Sequence, residues 1–329
     1  MQEKGMDYRG KNVLVTGSEG FIGSALTERL LEMGAHVKGC VLYNFKGDLG
    51  WVAHLADKVE LYFGDVRDYN AVEDSMQGIH TVFHLAASIS VPYSILHPRE
   101  TIETNIVGTL NVLKAAQAKH VRKIVHVSSS EIFGTPEYVP IDEKHPRNPQ
   151  SPYAASKEAA DSLCKSFYYS YGLPVNIIRP FNTFGPRQSP RAVIPNILLQ
   201  LLNGDVLKLG NLKPSRDFTY VKDTVDGILL GGLLKANGEE VNLGTGQEIS
   251  VGSLVKLIAR LMGKEHYELK RERKRVRRQE AEVIRLVSDN TKAKKVLGWK
   301  PAYTLEEGLV KTIEWFKENK DLYKNLDYP

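Results

Sequence analysis

The first half of the chain alternates short apolar runs with segments in which apolar residues recur every three or four positions. Short apolar runs are typical of buried strands, whereas the longer spacing is typical of helices that pack on one face. This alternation predicts a parallel sheet with helices on both faces, and right-handed crossovers make it a doubly wound α/β sheet. The predicted strands are residues 11–16, 36–43, 59–63, 81–85, 123–128 and 175–179, and the predicted helices are residues 22–33, 69–76, 99–119 and 152–171.

The second half keeps helical patterns, but its strand candidates are shorter and less regular. We therefore expect a smaller α/β lobe, interleaved with the end of the first domain. Residues 1–180 are predicted to form a Rossmann-type domain and residues 181–329 mainly the second lobe. The predicted helices of this half are residues 194–202, 221–234, 251–261 and 305–318, and its predicted strands are residues 206–209, 240–242 and 282–286.

Composition places the chain among ordinary globular proteins. Apolar residues make up 42% of its 329 residues and charged residues 25%, which argues against long disorder or a disulfide scaffold. No run of 18 apolar residues exists and the first residues lack a secretory core, so we expect neither a membrane span nor export. Cys40 and Cys164 lie far apart, which favours a reducing cytoplasm and gives no basis for a metal site.

The net charge of +5 comes from one segment. Residues 270–278 (KRERKRVRR) hold seven basic residues and one acidic residue, and the rest of the chain has 37 basic and 38 acidic residues. The segment is interpreted as a solvated surface, as a wall that binds an anionic small molecule, or as a patch for nucleic acid or targeting. It contains no aromatic residue on which bases could stack, so we do not expect a nucleic-acid partner.

Three glycines follow the first predicted strand and open the first helix. Gly17, Gly20 and Gly23 lie in the sequence GSEGFIG. The first would permit a tight turn, the second would let the backbone approach a pyrophosphate, and the third would let helix and strand pack closely. Free N–H groups at the helix start favour an anion. The placement favours dinucleotide binding over a glycine-rich turn without a ligand.

Dinucleotide folds often carry an acidic residue at the end of the second strand, where it binds the ribose 2′-hydroxyl. This chain has no carboxylate there (GCVLYNFK, residues 39–46). Asn44 could hydrogen-bond a hydroxyl, whereas Lys46 could face the 2′-phosphate of NADP. We predict NAD and leave NADP open. Asp65, after the third strand, could accept a hydrogen bond from an adenine amino group or cap the next helix.

Tyr153 and Lys157 share one face of a predicted helix, four positions apart. Ser151 is a plausible N-cap and Pro152 a good first helical residue, which places Tyr153 in the first turn. A lysine beside a phenol lowers the pKa of the phenol, which suits a tyrosine that takes a proton. Residues 128–131 (SSSE) end the preceding strand at the carboxyl edge, where such sheets bind ligands.

Together, the glycine-rich loop, the strand end HLAA (residues 84–87), the serine-rich strand end and the Tyr153–Lys157 pair resemble the extended short-chain dehydrogenase/reductase family. The stretches RPFNTFGPR and RDFTYV extend the resemblance, which runs from about residue 10 to LGW at 297–299. It narrows to nucleotide-sugar epimerases and dehydratases. Residues 138–157 and 188–195 look most like NAD-dependent 4,6-dehydratases of nucleotide-linked N-acetylhexosamines, of the legionaminic-pathway type.

The resemblance implies a tightly held nicotinamide cofactor, a nucleotide-diphosphate sugar as substrate and a homodimer joined through helices 99–119 and 152–171. Tyr153 would deprotonate the sugar 4-hydroxyl while C4 gives hydride to the nicotinamide. Ser129 would hydrogen-bond the 4-oxygen, and Lys157 would hold the cofactor ribose. Glu131 would remove the C5 proton, after which water leaves C6 and the hydride returns there.

The resemblance also implies the remaining contacts. Cofactor contacts would come from Gly17, Gly20, Phe21, Ile22, Gly23, Asn44, Asp65, Val66, Leu85, Ala86, Ala87, Tyr153, Lys157 and Pro180. Substrate contacts would come from Ser88, Ser130, Asn182, Arg187, Val193, Arg216 and Arg277. The guanidinium groups in this set suit the phosphates of the nucleotide.

One departure leaves the reaction open. Many sugar 4,6-dehydratases carry an Asp-Glu pair where this chain has Ser130 and Glu131. Either Glu131 acts as both base and acid, or another group gives the proton to the departing hydroxyl. The Ser-Glu pair also resembles nucleotide-glucuronate decarboxylases, and a variant that forms a 5,6-alkene is related. A 4-epimerase would need no C5 base, and a non-catalytic dinucleotide sensor would not need Ser129, Tyr153 and Lys157 together.

Overall fold

A computed structural model describes residues 6–272 and 282–323. Its strands, in chain order, are β1 (Asn12–Thr16), β2 (His36–Val41), β3 (Glu60–Phe63), β4 (Thr81–His84), β5 (Lys123–Val127), β6 (Val175–Pro180), β7 (Asn182–Phe184), β8 (Val206–Leu209), β9 (Ser215–Arg216), β10 (Phe218–Tyr220), β11 (Glu240–Leu243), β12 (Ile249–Ser250), β13 (Glu268–Arg271) and β14 (Arg285–Leu286).

Helices connect most of these strands. They are α1 (Phe21–Glu32), α2 (Tyr69–Ser75), α3 (Val91–Leu96), α4 (Pro98–Ile102), α5 (Gly108–Ala118), α6 (Pro152–Tyr171), α7 (Val193–Asn203), α8 (Val221–Leu233), α9 (Val251–Met262) and α10 (Leu305–Asn319). No helix among the described residues combines the length and apolar character needed to cross a membrane.

The predicted α/β fold is confirmed. Seven strands form a parallel sheet in the order β11-β6-β5-β4-β1-β2-β3, which contains the doubly wound order 3-2-1-4-5-6. The central strands are apolar along their length because helices cover both faces: every residue of β4 and β6 is buried. Strands β2 and β3 lie on one side of β1, and β4, β5 and β6 lie on the other. The carboxyl ends of β1 and β4 are therefore neighbours at the point where the strand order switches sides.

Two predicted elements differ from the structure. The predicted helix at residues 99–119 is α4 and α5 joined by one π-helical turn, Glu103–Val107, which the apolar spacing does not reveal. The predicted strand at residues 282–286 is reduced to the two residues of β14, because only Arg285 and Leu286 pair with β9.

Beyond the large sheet, the second half of the chain contains short strand pairs and the helices α7, α9 and α10. Its sheets are β10 with β7, β13 with β8, and β12-β9-β14. One hydrophobic cluster includes Val13 and Phe83 of the large sheet together with Leu198, Ile258 and Leu309 of the lobe helices. The two halves of the chain therefore share a core.

Candidate active site

The glycine-rich turn lies at the carboxyl end of β1. Gly17 has φ +70°, and a Cβ there would lie 2.9 Å from the Ala86 backbone. A Cβ on Gly23 would lie 2.0 Å from the Gly17 carbonyl oxygen. The tight turn and the close helix packing are thus as predicted, and only glycine fits both positions. Gly20 is the N-cap of α1, with Phe21 and Ile22 as the first helical residues.

The start of α1 suits an anion. No acidic side chain lies in the first turn, and no side chain caps the helix at Gly20. The first N–H groups of a helix have no partner within the helix and carry partial positive charge. A phosphate is therefore the kind of group that this turn is built to hold.

The end of β4 packs against this turn. The N–H groups of Leu85 and Ala86 both donate to Thr16 Oγ1, at 3.2 Å. Ala87 follows, and the backbone of Ser88 exchanges two hydrogen bonds with the side chain of Asn105, which lies in the π-helical turn. Asn105 also donates to Ser156 Oγ of α6 at 2.8 Å, so this buried amide ties the β4 end to the tyrosine-bearing helix.

The polar side chains that follow β2 and β3 have hydrogen-bonding partners within the protein. The Asn44 side chain hydrogen-bonds within its own loop, to Leu42 O and to the backbone of Asp48. Asp65 pairs with Arg67, which lowers the pKa of the Asp65 carboxyl. The N-cap of α2 is Asp68, so the suggested capping role of Asp65 is wrong.

Val66 packs behind that loop. A Cβ on Gly108 would lie 2.7 Å from Val66 Cγ2, and the Val66 carbonyl accepts a hydrogen bond from Asn111 Nδ2 at 3.0 Å. Its position after β3 keeps it close to the carboxyl edge.

Tyr153 lies in the first turn of α6, as predicted. The Ser151 side chain accepts a hydrogen bond from Ala154 N, and Pro152 is the first helical residue. The Tyr153 N–H donates to Ser94 Oγ at 3.1 Å, which fixes the helix start against α3. Lys157 is one turn further along, 4% exposed, with Nζ donating to the Val127 carbonyl at 2.7 Å.

The expected lowering of the phenol pKa by Lys157 is wrong for this arrangement. Burial raises the pKa of Tyr153 to about 12, and a hydrogen bond from Ser129 opposes the rise only in part. Burial lowers the pKa of Lys157 to about 8. The ammonium is directed at the backbone of β5, so desolvation outweighs any attraction between the lysine and the phenolate.

Ser129, Ser130 and Glu131 leave β5 on the side of the tyrosine. Ser129 caps a short 3₁₀ turn, in which its Oγ accepts from Glu131 N at 3.2 Å. Ser130 is buried, whereas Glu131 is partly exposed. The Glu131 charge is close enough to raise the pKa of Tyr153 further. Ser129, Glu131 and Tyr153 thus form one group at the carboxyl edge.

A buried ion-pair network behind this group was not predicted. Asp161, one turn beyond Lys157, accepts from Ser128 Oγ at 2.8 Å and from Arg179 Nη2 at 2.7 Å. Arg179 Nη2 also reaches Glu240 Oε2 at 2.8 Å. Paired charges are what such deep burial requires. The helical spacing of Lys157 and Asp161 was available as a signal, but their partners are far away in sequence.

The predicted substrate residues of the second lobe lie at several places. Pro180 ends β6, and Asn182 opens β7 with its N–H bonded to Asp217 O. The Arg187 guanidinium binds Glu28 Oε1 of α1 at 2.7 Å. Val193 is the first residue of α7, and Arg216 in β9 donates to the Ser215 carbonyl. Arg277 lies outside the described residues.

These groups can do acid–base chemistry beside an anion-binding turn. A phenol that has lost its proton and a carboxylate next to it can each accept a proton from neighbouring atoms of one ligand, and a serine hydroxyl within reach of the phenol can hold an oxygen of that ligand. The described residues contain no cluster of three His, Cys, Asp or Glu side chains suited to a metal ion.

Comparison with known proteins places the chain in one family. Residues 14–312 match the family described as GDP-mannose 4,6 dehydratase. A UDP-glucose 4-epimerase from Mycolicibacterium smegmatis is 37% identical over 317 residues, which cover 92% of this chain and 98% of that protein. UDP-glucuronic acid decarboxylase 1 from Xenopus tropicalis is 34% identical over 97% of this chain and 75% of its own length.

A solved structure is similar over the whole fold. The dTDP-glucose 4,6-dehydratase DesIV from Streptomyces venezuelae, solved with NAD and TYD bound, has a TM-score of 0.88 and 30% sequence identity. The match covers 96% of this chain and all of that one. Epimerization, decarboxylation and dehydration are thus all found among proteins similar to this chain.

Proposed function

Because this chain belongs to the extended short-chain dehydrogenase/reductase family of nucleotide-sugar epimerases and dehydratases, we propose that it is a 4,6-dehydratase of a UDP- or GDP-N-acetylhexosamine. The position of Glu131 carries the proposal. It is a carboxylate next to the Ser129–Tyr153 pair, where a sugar oxidised at C4 would present its C5 hydrogen.

The residues of the glycine-rich turn fit a dinucleotide. Side chains at Gly17 and Gly23 would collide with backbone, and the first turn of α1 has no acidic group to repel a phosphate. NAD is the cofactor we propose, as in the DesIV structure. A bound nicotinamide dinucleotide would accept the C4 hydrogen with its electron pair and return it to C6. The β4 end and Asp65 would complete its site.

Tyr153 would take the proton of the 4-hydroxyl, with Ser129 holding the same oxygen. Burial raises the pKa of Tyr153, so the phenol must first give up its own proton before the phenolate can take that of the 4-hydroxyl. Lys157 is held beside β5 and would bind the cofactor ribose. Ser129 and Tyr153 would therefore position the 4-oxygen, and the Tyr153 phenolate would accept its proton as C4 is oxidised.

Glu131 would act in the second stage. A ketone at C4 makes the C5 hydrogen acidic, and a carboxylate at that carbon can remove it. The 6-hydroxyl then leaves as water after gaining one proton. Glu131 could return the proton it has just taken, or another group could supply it, since Ser130 replaces the acid of other dehydratases. When the hydride returns to C6, C5 must regain a proton from solvent, which completes the 4-keto-6-deoxy product.

The second lobe would bind the nucleotide. Asn182, Arg187, Arg216 and Arg277 would contact the nucleotide and its diphosphate, with Ser88, Ser130 and Val193 near the sugar. The division at residue 180 between a cofactor-binding domain and a mainly substrate-binding lobe belongs to this proposal. We also propose that two copies of the chain form a homodimer through α4, α5 and α6.

A 4-epimerase is the second candidate, because the epimerase from M. smegmatis is 37% identical to this chain. Epimerization uses the same oxidation at C4 but needs no base at C5. A decarboxylase or a 5,6-alkene-forming enzyme would use Glu131 differently.

The product of a nucleotide hexosamine distinguishes these reactions. The enzyme is incubated with UDP-N-acetylglucosamine and, separately, with its GDP and uronic-acid counterparts, and the products are identified by NMR and mass spectrometry. The proposal predicts a 4-keto-6-deoxy sugar that is lighter by one water. An unchanged mass with inverted C4 would establish the epimerase instead, and loss of carbon dioxide would establish the decarboxylase.

A further inference from the structure

The end of β2 lacks the acidic residue that normally holds the adenosine ribose. Val41 is its last residue, and the sequence then continues through Leu42, Tyr43 and Asn44. In dinucleotide folds an acid at this point accepts a hydrogen bond from the ribose 2′-hydroxyl of NAD. A phosphate on the same oxygen, as in NADP, would be repelled by that charge.

Another carboxylate reaches this place from the glycine-rich turn. Glu19 precedes Gly20, and its Oε1 accepts a hydrogen bond from the N–H of Leu42 at 3.0 Å. Leu42 is the first residue beyond β2. The turn also lies along the strand end, since Gly17 N and Ser18 N donate to Cys40 O at 3.1 and 3.3 Å. The Glu19 side chain therefore lies at the end of β2 without belonging to it.

The loop after β2 holds Glu19 in this position. The Glu19 carbonyl accepts a hydrogen bond from Trp51 N at 3.0 Å. Gly50 packs against it so closely that a Cβ would lie 2.8 Å from the Glu19 carbonyl oxygen. The loop thus holds the main chain of Glu19, while the N–H of Leu42 holds the carboxylate; a side chain that must meet a ligand is usually supported in this way.

The carboxylate keeps the capacity to accept another hydrogen bond. Glu19 as a residue is partly exposed, but its Oε2 is shielded from solvent and has no hydrogen-bonding partner among the described residues. An oxygen without a donor costs free energy when it is shielded from water. A ribose hydroxyl is a donor of the right kind at this edge of the sheet.

We propose that Glu19 replaces the missing acid of β2 and makes the protein prefer NAD over NADP. The inference depends on the proposed function only in requiring that a nicotinamide dinucleotide binds along the glycine-rich turn. The preference for NAD would then come from a residue of the glycine-rich turn and not from the end of β2, which usually sets it.

Asn44 and Lys46 are placed less favourably than Glu19 to contact the adenosine ribose. Asn44 uses both ends of its amide to close its own loop. Lys46, the candidate for a 2′-phosphate, lies 5.7 Å above the ring of the exposed Phe45. Neither is held at the end of β2 as Glu19 is.

The test compares the affinities of the full-length protein for NAD⁺ and NADP⁺. Bound nucleotide is removed and identified, and each dinucleotide is then titrated while tryptophan fluorescence and heat are recorded. Trp51, bonded to Glu19 through its backbone, is a natural reporter. The variants are Glu19→Gln, Glu19→Lys and Lys46→Gln. The matched control is Glu60→Gln, which also removes one carboxylate. Glu60 pairs with Lys38 at the start of β3, away from the carboxyl edge.

The wild type should release NAD and bind it at least about tenfold more tightly than NADP, the size of one close charge interaction at a partly exposed site. Glu19→Gln should reduce that ratio about tenfold, and Glu19→Lys should reverse the preference. Glu60→Gln and Lys46→Gln should keep the wild-type ratio. An unchanged ratio in Glu19→Gln would overturn this inference alone, whereas failure of the wild type to bind either dinucleotide would overturn the proposed function as well.

Discussion

The carboxyl edge of the large sheet and the second lobe hold their polar side chains in different ways. At the edge, the main chain that carries each group is fixed: the Ser151 and Ser94 side chains hold the first turn of α6 at Tyr153, and Ser129 caps the turn that ends β5. In the lobe, Arg187 is held by another side chain, Glu28. A group fixed by backbone suits chemistry that needs one geometry, whereas an ion pair can be exchanged for a ligand. Substitutions at the edge should therefore affect turnover, and those in the lobe should affect affinity.

Tyr153→Phe tests the edge most severely. Loss of the phenol should lower kcat by about 10³- to 10⁴-fold, because it removes the group proposed to take the 4-hydroxyl proton. Dinucleotide affinity should stay close to that of the wild type. Tyr169→Phe, which changes an exposed tyrosine of the same helix, is the control and should keep full activity. Near-normal turnover of Tyr153→Phe would show that the base is another residue.

Asp161→Asn tests how much the buried ion pair behind the edge contributes to the stability of the fold. Removing one partner of the buried Asp161–Arg179 pair should lower the free energy of unfolding by about 3–5 kcal/mol, as measured in urea. Glu158→Gln, on the same helix and partly exposed, should change it by less than about 0.5 kcal/mol.

This effect should also depend on pH. The charge of Arg179 and the nearby ring of His126 hold the pKa of Asp161 below its ordinary value, despite burial. A carboxyl with a lowered pKa stabilises the folded state above its ordinary pKa of about 4, and the contribution is lost as the pH falls. The difference between wild type and Asp161→Asn should therefore shrink below that pH. A difference that grew with acidification would contradict the pairing.

Glu131→Gln separates the two stages of the proposed reaction. Without the carboxylate, C4 oxidation should continue while loss of water slows by about 10²-fold or more. Reduced nicotinamide should then accumulate and be visible by its near-ultraviolet absorbance. Glu137→Gln, an exposed neighbour, serves as the control. Wild-type turnover by Glu131→Gln would place the C5 base elsewhere.

Arg216→Gln is expected to have the smallest effect of the four. Loss of one phosphate contact should raise KM about tenfold and leave kcat within about twofold. Arg260→Gln, which removes an exposed ion pair with Glu306, is the matched change and should leave both constants as they are. A drop in kcat without a change in KM would place Arg216 with the groups of the edge.

The large sheet and its edge could be predicted because they follow from local rules. Buried parallel strands are apolar along their length, and the residues that end them must lie at one edge. The cluster at residues 128–131 is predicted in this way, and Tyr153 is predicted from its helical spacing with Lys157; the roles of Ser129, Glu131 and Tyr153 come from the family resemblance. The N-cap at Ser151 was readable for the same reason, since capping depends on adjacent residues.

Other features depend on contacts between distant residues. Asp161 and Arg179 are 18 positions apart, and Arg187 and Glu28 are 159 positions apart. The π-helical turn at Glu103–Val107 changes hydrogen bonding without changing the apolar spacing. The pKa of Lys157 is lowered by burial, which the lysine's own sequence position does not reveal.

The most direct test of the account is the position of solvent deuterium in the product. The wild-type enzyme is run in heavy water with UDP-N-acetylglucosamine, or with the GDP sugar if that is the one turned over, and the product is examined by NMR. Removal of the C5 hydrogen by Glu131 predicts deuterium at C5 of a 4-keto product whose C6 carries the hydrogen that began on C4. A product with no carbon-bound deuterium and only C4 inverted would contradict the account.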